Sequence, residues 1–119
     1  MPEGRPMLKI KRIYEPVSRA DGKRILVDRL WPRGIKKEKA RVDGWLKEIA
    51  PSNELRHWYS HDPAKWAEFK ERYRKELETK SDLVAKLKQG AKRGTVTLLF
   101  SSRETERNNA VALKEILLA

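Results

Sequence analysis

The hydrophobic positions of this chain fall into short runs at two different periods. Leu8, Ile10 and Ile13 are interleaved with Lys9, Lys11 and Arg12, the pattern of a half-buried strand. Ile25-Leu26-Val27 is apolar on consecutive positions, which predicts a second strand covered on both faces, and Thr95 to Phe100 reads as the third strand. Between them the spacing is helical. Val42, Trp45, Leu46 and Ile49 lie at i, i+3, i+4 and i+7 and predict a helix over residues 37–49, stopped by Pro51. Ser52 is placed to cap a short helix carrying Leu55, Trp58 and Tyr59. Asp62 followed by Pro63 opens a helix with Trp66, Phe69, Tyr73 and Leu77 as its inner stripe. The next helix starts near Ser81-Asp82, buries Leu83, Val84 and Leu87, and ends near Gly90 or Gly94. Ser101-Ser102-Arg103-Glu104 reads as a capping box for a last helix reaching about Leu118. Ala110, Leu113 and Leu117 mark its buried side, and Asn109, four residues before Leu113, falls on the same side.

Strands separated by helices predict an α/β fold: a small, mostly parallel three-stranded sheet with helices packed on both faces. The weakest part of that topology is the link from the first strand to the second, about eleven residues, borderline for a parallel crossover.

Length adds one constraint. A chain of 119 residues suits one α/β domain with its own core, with residues 1–6 as a loose lead-in. Composition removes whole classes of chemistry. There is no cysteine, so disulfides, thiolate metal sites and thiol nucleophiles are absent. With two histidines and no cysteine, we expect no dedicated metal site, and no motif implies a cofactor. The short apolar runs and the polar N-terminus lead us to expect a cytoplasmic protein without membrane contact. A net charge of +11 with 38% charged residues admits a polyanionic partner. It equally fits solvated helix faces laced with Lys/Glu pairs, or the surface of a heat-stable protein.

The candidate chemistry gathers in Asp28-Arg29-Leu30-Trp31-Pro32-Arg33-Gly34, directly after the second strand. Arg29 and Arg33 can clamp a phosphate or carboxylate, or brace the loop through internal salt bridges. Trp31 can stack on a ligand ring or anchor the loop, and Gly34 can serve a left-handed turn or a close ligand approach. In a parallel sheet, ligands bind outside the carboxyl ends of the strands. Those ends carry Arg12 and Tyr14, then the loop, then Ser101, Ser102 and Arg103, with Asn108 and Asn109 just beyond. The site expected from this convergence is Arg29, Trp31, Arg33, Gly34, Ser101, Asn108 and Asn109. Asp28, His61 and Tyr14 are the available proton-transfer groups, although Asp62-Pro63 beside His61 is already explained as a helix start.

The motifs Val27-Asp28-Arg29-Leu30-Trp31-Pro32-Arg33-Gly34, Lys11-Arg12-Ile13-Tyr14-Glu15-Pro16, His61-Asp62-Pro63 and Asn108-Asn109-Ala110 resemble those of the YeaO-like proteins, a domain of unknown function. The resemblance spans nearly the whole chain and implies a single α/β domain, with no established activity, substrate or cofactor. Longer, distant relatives carry an Asp-x-Arg motif at the same strand end and a Cys-His-Arg motif before the last helix. Asn108 and Asn109 occupy the second place here, so thiol chemistry does not carry over.

Three readings stay open from the sequence: a binder of an anionic, phosphorylated or nucleotide-like small molecule, with or without catalysis; a nucleic-acid-binding protein; and a structural or interaction protein whose arginines are internal braces.

Overall fold

The computed structural model describes residues 7–119; the expected lead-in at residues 1–6 lies outside them. The sheet has four strands, all parallel: β1 (Met7–Arg12), β2 (Lys23–Leu26), β3 (Gly44–Trp45) and β4 (Thr95–Phe100). Their spatial order is β1-β4-β2-β3. The last strand in sequence is thus flanked on both sides, with Ile10 and Ile25 both opposite Leu98. This position explains why every residue from Val96 to Phe100 is buried, since a strand covered on both faces has no solvated side. It also resolves the doubtful link. β1 and β2 are not neighbours, and the chain between them spans β4 with a 3-10 turn at Arg19–Asp21 in place of a helix.

The described residues also form five α-helices: α1 (Lys37–Ala40), α2 (Asn53–Tyr59), α3 (Trp66–Leu77), α4 (Ser81–Arg93) and α5 (Asn109–Leu118). They are shared unequally between the faces. Val96, Leu98 and Phe100 join Phe69, Tyr73, Leu77, Leu87, Ala91 and Leu113 in the main core under the long helices. Leu26 and Leu99 point the other way, to a small cluster with Ile13 and Ala40, closed by Trp31, Ile35, Val42 and Trp45. No helix of the described residues is long and apolar enough to cross a membrane.

The single helix expected over 37–49 does not form. It stops after Ala40, where Arg41 turns left-handed at φ 50°. The backbone N–H of Asp43 donates to the Arg24 carbonyl at 2.8 Å, and the Asp43 carboxylate accepts from the Arg24 N–H at 2.8 Å. Gly44 and Trp45 then add a fourth strand to the open edge of β2. Extended backbone sends alternate side chains to opposite faces. The apolar stripe is therefore split: Val42 and Trp45 go to the small cluster, Leu46 and Ile49 to the main core.

The thin face holds a buried ion cluster that the sequence did not reveal. Asp21 is 5% exposed and Arg24 3%. Arg24 Nη1 meets Asp21 at 2.5 Å, while its Nε and Nη2 donate to the carbonyls of Arg41 and Ala40. Lys11 Nζ donates to Asp21 from the far side at 2.9 Å. Gly22 beside it has φ 62°, and a Cβ there would lie 2.2 Å from the Thr95 carbonyl oxygen. Burial pushes the Asp21 carboxyl up, but donors from Lys11, the Ser18 N–H and Arg24 outweigh it and hold it below the ordinary value.

Removing Asp21 strands Arg24 as a buried unpaired cation. Asp21→Ala is expected to cost about 3 kcal/mol in urea unfolding. The depressed carboxyl binds fewer protons folded than unfolded. Its contribution is therefore complete above about pH 4 and is lost as pH falls through the depressed value. Tm measured from pH 6 downward should fall more steeply for wild type than for Asp21→Asn; equal slopes would contradict the assignment.

Candidate functional site

The parallel sheet sets the strand ends side by side, and one carboxylate fastens them. Asp28 follows β2 directly. Its Oδ2 accepts from the Ser101 N–H at 2.9 Å and the Ser101 hydroxyl at 2.8 Å, at the end of β4. Its Oδ1 accepts from Asn109 Nδ2 at 3.0 Å, and the same amide donates to the Val27 carbonyl at 3.1 Å. Asn109 is the first residue of α5, so its inward-facing amide has a partner in the neighbouring strand end. Asn108 is the N-cap: its Oδ1 accepts from the Val111 N–H at 2.9 Å, and its Nδ2 donates to the Glu104 carbonyl.

These contacts replace the capping box expected at Ser101 and Glu104. The Ser101 hydroxyl is taken by Asp28, and the helix begins eight residues beyond Ser101, at Asn109. Glu104 instead accepts from the N–H groups of Glu106 and Arg107, which hold its carboxyl below the ordinary range. Arg12 closes the row of strand ends, its Nε donating to the carbonyls of Ser101 and Ser102 at 3.2 and 3.0 Å.

Above these ends lies a cleft of about 1050 Å³. Every residue of the expected site lines it: Arg29, Trp31, Arg33, Gly34, Ser101, Asn108 and Asn109, as do Asp28, Tyr14 and His61. The local roles differ. Trp31 is held by its indole N–H on the Ile35 carbonyl at 2.7 Å and packs edge-on against Trp45 at 5.5 Å, so it anchors the loop as well as lining the cleft. Gly34 takes φ 80°, a left-handed turn, and a Cβ there would point into open space. Tyr14 ties the loop back, donating to the Arg33 carbonyl at 2.8 Å, with the Arg12 guanidinium 4.5 Å over its ring.

The two loop arginines separate. Arg29 Nη2 donates to the carbonyls of Ala50 and Pro51 at 3.2 and 3.3 Å, while its buried Nε has no partner among the described residues. Lys80 also donates to the Ala50 carbonyl. Burial, followed by the nearby charge of Arg29, pushes the Lys80 ammonium below its ordinary value. Arg33 is exposed, and its guanidinium makes no hydrogen bond or ion pair among the described residues.

The proton-transfer candidates are placed at the cleft without being paired for catalysis. The Asp62 carboxylate accepts from the Ala64 N–H at 3.0 Å and not from His61. His61 follows Ser60 in an unusual left-handed pair, φ 44° and 56°, and its ring is 6.2 Å from that of Tyr59. Tyr59 donates to the Arg107 carbonyl at 3.1 Å, and burial followed by Glu104 raises its phenol, which keeps it protonated.

Arg56 and Arg107 also line the cleft and were not singled out from the sequence. Arg56 sits on the polar face of α2, where an exposed arginine carries no signal. Arg107 immediately precedes Asn108-Asn109, and that adjacency was the available clue.

The contacts separate braces from free cations. Asp28→Ala removes a carboxylate with three protein donors and is expected to cost about 3 kcal/mol in urea unfolding. Arg33→Ala breaks no side-chain contact and should stay within about 0.5 kcal/mol of wild type. A reversed order of these two effects would contradict the division.

Comparison with known proteins agrees with the motifs. Residues 7–119 match the family described as the inactive DUF488-N3 subclade. The chain is 44% identical over 110 residues to the uncharacterized protein YeaO of Escherichia coli (strain K12), covering 92% of this chain and 96% of that one. It is 42% identical over 110 residues to the uncharacterized protein Rv3073c of Mycobacterium tuberculosis (strain ATCC 25618 / H37Rv), covering 92% of each. No solved structure matches. With its loop motif, its parallel sheet and a family match from Met7 to the last residue, this chain belongs to the inactive DUF488-N3 subclade, a family of unknown function that includes YeaO-like proteins.

Proposed function

We propose that the protein binds an anionic small molecule in the cleft at the carboxyl edge of its sheet. One observation carries this reading: among the described residues, six arginines and two histidines line the cleft, and the one carboxylate lining it, Asp28, is engaged by three protein donors. A guanidinium presents a planar fork of donors that matches carboxylate and phosphate oxygens. Asp28 holds the frame, and only Arg107 of the six arginines has carboxylates within 4.0 Å, those of Glu104 and Glu106, so most of the arginine charge in the cleft has no counter-charge among the described residues.

The internal-brace reading accounts for Arg29 in part, through its carbonyl contacts, but gives Arg33 and Arg103 nothing to do. Both are exposed and make no side-chain hydrogen bond or ion pair among the described residues. The family's description as inactive fits binding without turnover. It also fits the absence, among the contacts at the cleft, of a histidine paired with a carboxylate or a hydroxyl. The Ser101 hydroxyl donates to Asp28, whose other oxygen is held by Asn109, an arrangement that fixes position.

A ligand that binds only the folded state must raise the unfolding midpoint, by about 2.7 kcal/mol of stability at a hundred times its Kd. Thermal unfolding of wild type should shift upward by several degrees with millimolar phosphate or pyrophosphate at low salt. The double variant Arg33→Ala/Arg103→Ala should match wild type without ligand and lose most of the shift. If no phosphate or carboxylate in a broad panel moves the wild-type midpoint, the anion reading fails.

A further inference from the structure

We infer that the ligand of this cleft carries several phosphoryl groups, as a nucleotide-sized polyphosphate does, and not a single phosphate or carboxylate. The inference rests on the anion-binding reading above and deepens it.

The number and placement of the cations lead to it. Arg12 comes from the end of β1, Arg29 and Arg33 from the loop after β2, Arg56 from α2, and Arg103 and Arg107 from the connection between β4 and α5. Four separate segments thus send guanidinium groups to one concavity. A phosphoryl group presents three strong acceptor oxygens, and one bidentate arginine takes two of them. Two arginines already balance the charge of about −1.5 to −2 on a single phosphate. The remainder would stay unpaired around it.

Charge repulsion points the same way. Two unit charges about 4 Å apart repel by about 1 kcal/mol in water and more in a partly desolvated cleft. The protein supplies little counter-charge here. Arg107 approaches Glu104 and Glu106 only at 4.0 and 3.9 Å, and Arg56 is met by the Asn53 amide oxygen at 3.0 Å, not by a carboxylate. Elsewhere close pairing is used: Arg24 with Asp21 and Arg74 with Glu71, each at 2.5 Å, and Arg72 with Glu68. Within the cleft, a ligand bearing several negative charges is what offsets the gathered arginines.

Size agrees with charge. Ordinary small-molecule sites run from roughly 300 to 1000 Å³. A cleft of about 1050 Å³ is far larger than one phosphate ion needs and accommodates a nucleotide-sized molecule. Part of its cation set is also held in place. Arg12 is fixed by two carbonyls, Arg29 by two more, and the Arg33 segment is tied through its own carbonyl to Tyr14. For Arg12, Arg29 and the backbone at Arg33 little freedom remains to be lost on binding, while the Arg33 and Arg103 side chains stay free to close on a ligand.

The test is calorimetric titration of the full chain at low ionic strength with inorganic phosphate, pyrophosphate, tripolyphosphate, adenosine mono- and triphosphate, and a short oligothymidylate. The expected result is a ladder, with affinity rising about tenfold or more from phosphate to tripolyphosphate and from the mono- to the triphosphate. Arg33→Ala/Arg103→Ala should flatten that ladder without lowering the ligand-free Tm. Equal affinity for phosphate and tripolyphosphate would overturn the inference and leave the anion site standing. Binding of none of the anions would overturn both. Tight binding of the oligothymidylate alone, abolished by moderate salt, would overturn the small-molecule ligand in favour of a nucleic-acid surface.

Discussion

The Asp28 carboxylate is the contact on which the cleft depends. It follows β2, accepts two hydrogen bonds from Ser101 at the end of β4, and a third from Asn109 at the head of α5. Three segments distant in sequence are thereby held at one edge. The loop that begins with Arg29 starts from this fixed point, and the connection bearing Arg103 and Arg107 runs between its two partners. Loop ends carrying this many like charges would drift apart if tethered only by solvent-exposed contacts. The brace holds together the segments that bring these cations to one cleft.

The opposite end of the sheet is held by a different device. The helices α2 to α5 cover one face, while the other has only the four-residue α1, two loops and a small apolar cluster. Apolar burial alone is limited there. Arg24 compensates by fastening the last turn of α1 through two carbonyls, with Asp21 and Lys11 completing its charge balance. Arginine thus has two uses in this fold. Arg24, with Asp21 close, is structural, while Arg33 and Arg103, which have no carboxylate partner among the described residues, line the cleft. The distinction comes from partners and not from burial alone, since Arg12 and Arg29 are partly engaged and still line the site.

Much of the site was legible because a parallel sheet converts sequence position into spatial position. Once β1, β2 and β4 are read as parallel, Tyr14, Asp28 and Ser101 must share an edge whatever the strand order. Asn109 could be read as an inward-facing polar group because its spacing from Leu113 is that of a helix face. What stayed hidden depends on long-range partners. The pattern at Val42, Trp45, Leu46 and Ile49 fits a helix locally, but the open edge of β2 captures Asp43 to Trp45 as a strand. Ser101 and Glu104 have capping-box spacing, yet Asp28, 73 residues away, takes the hydroxyl. Asp21-Gly22 reads as an exposed turn, while the fold buries Asp21 against Arg24. Each local pattern was real and was outweighed by a contact that spacing cannot show.

The central claim is that the braced strand ends form one anion site. An amide NMR titration of the folded protein with tripolyphosphate tests it most directly. The expected result is a saturable set of shifts concentrated at residues 29–34 and 101–109, with α4, which carries Lys86, Lys88 and Lys92 away from the cleft, left unmoved. Shifts scattered over the lysines of α4, or none at the strand ends, would contradict it.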